Sequence, residues 1–262
     1  MATSAVPQVR ERTAYEIIDF SIQLYRRHFA TIVMIMVLSA FPSWIVLWMS
    51  GVFTLLSPTH PVGSTYGFNP LVFALMPVVW VWGFVVKNGI IVAASDAYLE
   101  GTIDPARAIK TAFSKWLQLI GAAIGIRFVA VIAGAFTFSI AGFYLFLRWF
   151  AVVPVLLIEN KGFEDAFHRS RDLSQGFKMR ILGTQCLAWL IVFAVIFALQ
   201  LALAFVPMAP AARLLINAVA EILVLPVVSI VLTVLYYDQR IRKDGFDLEM
   251  MTRDLVAAPV GG

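Results

Sequence analysis

Long apolar runs alternate with short polar segments along this chain of 262 residues. Six of the runs approach or exceed the length of about 20 residues that an α-helix needs to cross a bilayer. We therefore predict an all-α, polytopic membrane protein with six transmembrane helices. The predicted spans cover residues 29–55, 71–97, 117–140, 142–158, 181–205 and 212–236. Prolines that we interpret as tolerable kinks lie inside these spans at Pro42, Pro77, Pro154 and Pro226.

Three polar segments, each before a pair of predicted spans, have the periodicity of amphipathic surface helices. Within 14–29, 105–120 and 163–179, a small residue comes early, aromatic residues recur at helical spacing and basic residues come late. Thr13 with Glu16 resembles a capping box, and Asp104 before a proline is a typical helix start. The pattern predicts three units of surface helix plus membrane hairpin. Any basic, amphipathic loop between spans would share these features, and that interpretation stays open.

Composition supports a membrane environment. The chain is 61% hydrophobic and 14% charged, whereas a soluble domain carries about 25% charged residues. We predict a cytoplasmic amphipathic segment at 1–28, a six-helix transmembrane domain at 29–237 and a cytoplasmic tail at 238–262. A helix is expected to end at Gly245, with the remainder of the tail disordered. Residues 1–28 are too long and too acidic for the start of a signal peptide, so the first span is expected to be retained.

Lysine and arginine alternate between the two sides of the predicted spans. They occur in the N-terminal segment, in the connections after the second and fourth spans and in the tail, but are absent from the loop at 57–69. Basic residues concentrate on the cytoplasmic side of membrane proteins. We therefore predict a multi-pass protein of the cell inner membrane with both termini cytoplasmic. Anionic lipid head groups at that face are the expected partners. A protein partner is left open, and nucleic acid is not expected.

Away from the ends of the predicted spans, four charged side chains fall inside them, where charge is costly. One interpretation is a polar cavity lined by Arg127, Arg148 and Glu221 that receives an anionic substrate or lipid head group. The other is that Glu221 pairs with Arg127 or Arg148 and holds helices together. We favour the pairing because the polar groups are scattered rather than clustered in corresponding repeats. The fourth residue, Lys87, lies close enough to the cytoplasmic side for its amine to extend toward the interface.

Polar residues at the cytoplasmic ends of the spans predict a second group. Glu159 ends the fourth span, Arg169 lies on the third surface helix and Asp238 ends the sixth span. Since all three are expected at the same membrane depth, we predict a cytoplasmic polar cluster. Its members are Glu159, Asn160, Arg169, Asp238 and Arg240.

Catalytic chemistry has little support in the sequence. His28, His60 and His168 fall in different segments, and Cys186 is the one cysteine. The phosphate loop, the HExxH zinc motif and the Gly-x-Ser-x-Gly nucleophile motif are absent from it. We therefore predict no catalytic residue, metal site or cofactor. The leading hypothesis is a non-catalytic protein that binds or organises lipid or protein partners at the cytoplasmic face. A transporter or lipid-handling protein with a mid-membrane cavity is the alternative, and an interfacial enzyme of phosphodiester or lipid metabolism is a third.

Three motifs carry a resemblance to a known family. They are Leu24-Tyr25-Arg26-Arg27-His28-Phe29, Pro154…Ile158-Glu159-Asn160…Ala166…Arg169-Ser170…Leu173…Gly176 and Tyr237-Asp238…Arg240…Arg242-Lys243…Gly245-Phe246-Asp247-Leu248. Across nearly its whole length the chain resembles the bacterial glycerophosphoryl diester phosphodiesterase membrane domain proteins, an uncharacterised six-span family. The resemblance implies a polytopic inner-membrane protein. It implies no activity, because the catalytic barrel fused to some members has no counterpart here, and His168-Arg169 lacks the glycine and paired acids of the catalytic site.

Overall fold

The computed structural model describes residues 10–51, 70–136 and 140–246. Throughout these residues the regular secondary structure is α-helical, which confirms the all-α prediction for them. The helices are α1 (Ala14–Arg27), α2 (Phe29–Met49), α3 (Pro70–Leu99), α4 (Pro105–Ser114), α5 (Trp116–Phe136), α6 (Ile140–Arg148), α7 (Val152–Ile158), α8 (Phe163–Ser174), α9 (Lys178–Ala204), α10 (Pro210–Val224) and α11 (Pro226–Asp244). The predicted end of the first span at 52–55, the loop at 57–69, His60 and the tail from Asp247 lie outside the described residues.

Several helices have the length and composition of membrane spans. Four stretches qualify among the described residues: α2, α3, α9 and α10 with α11 taken together. α4 and α5 add a fifth when the pair, bent by 66°, is taken as one span. α6 and α7, which occupy the predicted fourth span, form only a shorter apolar stretch, Tyr144–Ile158. A membrane protein with four or five candidate spans is thus supported, whereas six spans and the threefold repeat stay predictions.

The short polar helices α1 and α4 begin with the predicted caps and lead into longer apolar helices, whereas α8 begins after Gly162 without a side-chain cap. At the start of α1, the Glu16 N–H donates to the Thr13 hydroxyl at 3.3 Å, and the Thr13 N–H donates to the Glu16 carboxylate at 2.7 Å. This reciprocal pair confirms the capping box. At the start of α4, Asp104 accepts from the N–H groups of Ala106 and Arg107 at 2.9 and 3.1 Å. Gly245, in the left-handed conformation, ends α11 as predicted.

Two predicted spans are interrupted, and a neighbouring helix supplies a partner at each break. Between α6 and α7, the Ser170 hydroxyl donates to the Arg148 carbonyl at 3.1 Å and accepts from the Ala151 N–H at 3.1 Å. Between α10 and α11, the Tyr25 hydroxyl donates to the Leu223 carbonyl at 2.8 Å. Backbone groups freed by a break need such partners in an apolar environment. The surface helices α8 and α1 therefore stabilise these breaks directly.

The packed core surrounds α11, which contacts α1, α3, α8 and α9. Tyr98 of α3 stacks on Tyr237 of α11 with ring centroids 4.7 Å apart. On α11 the fully buried apolar side chains are Ile230, Val231, Val234, Leu235, Tyr236 and Tyr237. In contrast, α9 exposes a row of large apolar side chains, including Phe193, Phe197 and Leu201. An extended apolar surface of this kind is typical of a face that meets lipid.

Candidate functional site

Glu159, directly after α7, joins three helices through hydrogen bonds. Its carboxylate accepts from the Tyr236 hydroxyl at 2.7 Å, from Arg169 Nε at 3.2 Å and from Lys161 Nζ at 3.2 Å. Arg169 also binds the carboxylate of Asp244, with Nη1 and Oδ1 3.2 Å apart. The carboxylate of Glu159 therefore ties the end of α7 to α8 and α11.

The surroundings of this ion pair favour the charged forms. Burial alone would raise the pKa of Glu159, but the hydrogen bond from Tyr236 and the charge of Arg169 outweigh it and hold that pKa below its ordinary value. Burial alone would likewise lower the pKa of Arg169, yet Asp244 and Glu159 together raise it above the ordinary arginine range. Both partners are ionised at neutral pH, so the contact is a true ion pair.

Asp238 of α11 is the most buried charge in this region, with 1% of its side chain exposed. It accepts from Arg180 Nε at 3.0 Å, from Arg242 Nε at 3.0 Å and from the Arg12 N–H at 2.8 Å. Arg242 reaches further to Glu11, with Nη1 and Oε2 2.6 Å apart. Because a buried carboxylate needs charge-assisted partners, these contacts fasten the segment before α1 to α9 and α11.

We name this set of contacts the ion-pair network. Its members are Glu11, Arg12, Glu159, Lys161, Arg169, Arg180, Tyr236, Asp238, Arg240, Arg242 and Asp244. The network joins the segment before α1, the ends of α7 and α11, the middle of α8 and the start of α9.

The predicted polar cluster is divided in the structure. Glu159 and Arg169 meet, and Arg240 Nε lies 3.9 Å from a Glu159 oxygen. Asp238 takes its ionic partners from outside the predicted set, as described above. Asn160 is exposed and adopts a left-handed backbone with φ of 53°, which asparagine tolerates at turns.

Sequence reasoning missed several partners in the network, although one signal was available. On α11, Arg242 follows Asp238 by four residues, and Asp244 follows Arg240 by four. Side chains at this spacing are neighbours on a helix, so these two pairs were readable. Arg180 had no such local signal, because its contact with Asp238 joins two different helices.

A cavity of about 670 Å³ lies between α2, α3 and α10, with further lining from α5 and α11. Three of the four charges predicted inside the spans line it. Its charged and polar lining consists of Lys87, Arg127, Glu221, Ser39, Ser43, Asn88, Asn217 and Ser229. Its aromatic and aliphatic lining includes Trp44, Leu47, Trp80, Phe84 and Leu214. The serines and tryptophans of this wall had no distinguishing pattern in the sequence.

The charged groups of the cavity are exposed and lack ionic partners. Across the described part of the chain, no N–O distance of 4.0 Å or less joins Lys87, Arg127 or Glu221 to an opposite charge. The ion pair that we favoured between Glu221 and Arg127 or Arg148 is therefore not formed. Arg148 ends α6 and does not line the cavity, so the expected cavity set gains Lys87 and loses Arg148.

Chemically, the cavity offers two positively charged hydrogen-bond donors and one carboxylate that accepts hydrogen bonds. Lys87 and Arg127 can donate to an anion, and Glu221 can accept from a hydroxyl or ammonium group. No group of three His, Cys, Asp or Glu side chains that could hold a metal ion occurs within residues 10–51, 70–136 and 140–246.

Comparisons of the chain with protein-family models, curated proteins and solved structures give no match. Function must therefore be inferred from the site itself.

Proposed function

We propose that this protein is a multi-span membrane protein that binds a polar or anionic ligand in the cavity, as a transporter or lipid-handling protein. One observation carries the proposal: Lys87, Arg127 and Glu221 line a common cavity, and none has an ionic partner among the described residues. A charge at the centre of a span costs about 2.5–3.5 kcal/mol for insertion. Charges that are not needed to hold helices together are retained when they meet water or a ligand.

The ion-pair network, in contrast, gives weaker support to our leading hypothesis of a partner-binding surface. Its buried charges already satisfy one another, as the contacts of Asp238 and Glu159 illustrate. Such charges have little binding capacity left for a partner. The cavity therefore replaces the network as the preferred site.

For topology, we propose six spans in the bacterial inner membrane with both termini cytoplasmic, as the family resemblance also implies. The N-terminal segment and the end of α11 meet directly, since the Arg12 N–H binds Asp238 and Arg242 binds Glu11. That contact supports an even number of spans. The basic residues gathered in the network support a cytoplasmic side for that end. The order of a short polar helix followed by apolar helices, starting at α1, α4 and α8, supports three units.

Cysteine accessibility tests whether the cavity holds water. In a Cys186→Ala background, Ala218→Cys introduces a thiol on the cavity wall, and Val219→Cys introduces one on the exposed apolar face of the same helix. A thiol in hydrocarbon does not ionise and resists a membrane-impermeant thiosulfonate reagent. We expect Ala218→Cys to react from one side of vesicles made of zwitterionic lipid and Val219→Cys to remain unlabelled. Equal protection of both thiols would contradict the cavity proposal.

A second candidate keeps the surface helices as a docking face for anionic lipid head groups. The observation that favours it is the exposure of basic side chains on all three short helices, including Arg26 and Arg27 on α1, Lys110 on α4 and Arg171 on α8. Clustered basic residues bind anionic membranes at about 1 kcal/mol each. Neutralising Arg26 and Arg27 together should weaken binding of the purified protein to anionic vesicles. Unchanged vesicle binding would count against this candidate.

A further inference from the structure

The lining of the cavity changes in character along its length, and the packing of α2 against α3 defines that direction. The Trp82 indole donates to the Leu38 carbonyl at 3.0 Å, and a Cβ on Gly83 would lie 3.1 Å from the Ser39 carbonyl oxygen. Phe20, on the helix leading into α2, packs on Tyr98 near the end of α3 with centroids 5.6 Å apart. The two helices are therefore antiparallel, with Ser39 and Gly83 at one level.

On either side of this level the cavity wall differs. Toward the end of α3 near Tyr98, Lys87 lies about 6 Å beyond Gly83 along the helix axis. In the opposite direction, Trp80 lies about 4.5 Å from Gly83, and Trp44 lies about 7.5 Å from Ser39. Along α2 and α3, one end of the cavity thus carries an ammonium group, and the other end carries two tryptophans together with Ser43. A ligand that matches both ends has a charged head and an apolar tail.

The net charge of the cavity lining favours a negatively charged head group. Two cations, Lys87 and Arg127, and one carboxylate, Glu221, line the cavity, so the lining has a net charge of +1. A ligand with a single negative charge makes the loaded cavity neutral, which matters where the surrounding dielectric is low. Guanidinium and ammonium groups together form strong charge-assisted hydrogen bonds with a phosphate. Glu221 remains available to accept from a hydroxyl group of the same head.

The size of the cavity is consistent with part of a lipid rather than with a whole lipid. About 670 Å³ is in the range of small-molecule sites, enough for a head group and the first part of its chains. The cavity is partly open, so the remaining chain length can extend into the bilayer. A free phosphate ion would use the charged end and leave the aromatic end without a role.

We infer that the cavity binds the head group of an anionic phospholipid, with the phosphate at Lys87 and Arg127 and the acyl chains directed toward Trp44 and Trp80. This inference rests on the proposed function and specifies its ligand. With the proposed topology, the head points toward the cytoplasmic side and the chains toward the middle of the membrane. The orientation is that of a lipid taken from the inner leaflet.

Lipid binding to the purified, full-length protein tests the assignment. Native mass spectrometry would count bound phosphatidylglycerol against bound phosphatidylethanolamine with identical chains, and inorganic phosphate would be added as a soluble competitor. We expect a preference of at least about tenfold for the anionic lipid, as one additional charge-assisted contact predicts. Lys87→Gln and Arg127→Gln should each remove most of that preference. Lys110→Gln, which removes an exposed positive charge from α4, should preserve it.

Several outcomes would overturn the inference. The first is equal retention of both lipids by the unmodified protein, and the second is a preference for the anionic lipid that both cavity variants keep. The third is displacement of the lipid by phosphate at a concentration too low to screen charges on the protein surface. A preference lost in Lys110→Gln would assign the binding to the surface helices instead. A stable dimer that blocks Ala218→Cys without added lipid would assign the cavity to a second copy of the chain.

Protection of the cavity thiol separates this inference from the proposed function. Phosphatidylglycerol should slow labelling of Ala218→Cys, and phosphatidylethanolamine should not. If the thiol is labelled but neither lipid protects it, the cavity remains as a site and the lipid assignment is wrong. If the protein is monomeric and free of added lipid, and the thiol still does not react with the reagent, the proposed function itself is wrong. Thermal melting of each variant checks that it is folded.

Discussion

Near the end of α11, Asp238 lies between two guanidinium groups at 3.0 Å. Near the middle of the α10–α11 pair, Glu221 has no cation within 4.0 Å among the described residues. The two carboxylates belong to one continuous stretch of the chain, yet their surroundings are opposite. The network neutralises its charges internally, which suits a structural role. The cavity leaves its charges available, which suits binding. Substitutions in the two regions should therefore have different consequences.

The largest effect is expected for Asp238→Ala. This change leaves Arg180 and Arg242 facing each other without their carboxylate and removes the acceptor of the Arg12 N–H. Breaking a buried ion pair from one side costs about 3–5 kcal/mol. We expect a large fall in the melting temperature of the detergent-solubilised protein. Asp172→Ala, at an exposed position on α8, is the matched control and should melt close to the unmodified protein. Similar melting temperatures for Asp238→Ala and Asp172→Ala would contradict a structural role for the network.

A substitution in the cavity is expected to change stability in the opposite direction. Lys87→Leu removes a charge that has no ionic partner, so the free energy of unfolding should stay level or rise by up to about 3 kcal/mol. Chemical denaturation in the same detergent measures the difference. Ligand binding should fall at the same time. A variant that unfolds markedly more easily than the unmodified protein would show that Lys87 supports the fold, and the contrast between the two regions would disappear.

An intermediate effect, with a pH dependence, is expected for Glu159→Gln. Hydrogen bonds to a charged group contribute about 1.5–3 kcal/mol, and the variant loses the charge that binds Arg169. The pKa of Glu159 in the folded protein lies below its ordinary value of 4.5. Its contribution is therefore complete above that ordinary value and is lost as the pH falls through the folded pKa. Unfolding curves between about pH 7 and pH 3 should show a smaller acid-induced loss in Glu159→Gln than in the unmodified protein. Parallel curves would contradict this role for Glu159.

The smallest effect is expected for Glu11→Gln. Glu11 binds the same Arg242 as Asp238 does, but 57% of its side chain is exposed. Exposed ion pairs contribute about 0.2–1 kcal/mol and are weakened by salt. The melting temperature should change little, and added salt should remove the difference. A loss as large as that of Asp238→Ala would show that burial does not set the strength of pairs within the network.

Local features were the predictable part of both regions. The capping box at Thr13, the start of α4 after Asp104 and the left-handed end of α11 at Gly245 each depend on a few neighbouring residues. The break between α6 and α7 was not predicted, because the serine that satisfies it, Ser170, comes from a different helix. Pro226 had been placed inside a span, and it begins a new helix instead.

The candidate site was predicted residue by residue but not as an arrangement. Lys87, Arg127 and Glu221 were identified because charge is rare in apolar runs. Their sharing of one cavity, and the position of Arg148 outside it, follow from how α3, α5 and α10 pack. The expected pairing of Glu221 was wrong for the same reason: helical spacing indicates which face a residue occupies, but not which helix that face meets.

The sequence by itself determined the helical class, the polar caps, the apolar stretches and the alternation of basic residues, since each is encoded within a few turns of chain. Only the tertiary structure decided which charges meet. Arg12 and Asp238 are 226 positions apart, and their contact depends on the packing of α1, α9 and α11 around a shared core. Whether a charge is neutralised or left for a ligand is a property of that packing, because an ion pair requires its partners within a few ångströms in space and imposes no limit on their separation along the chain.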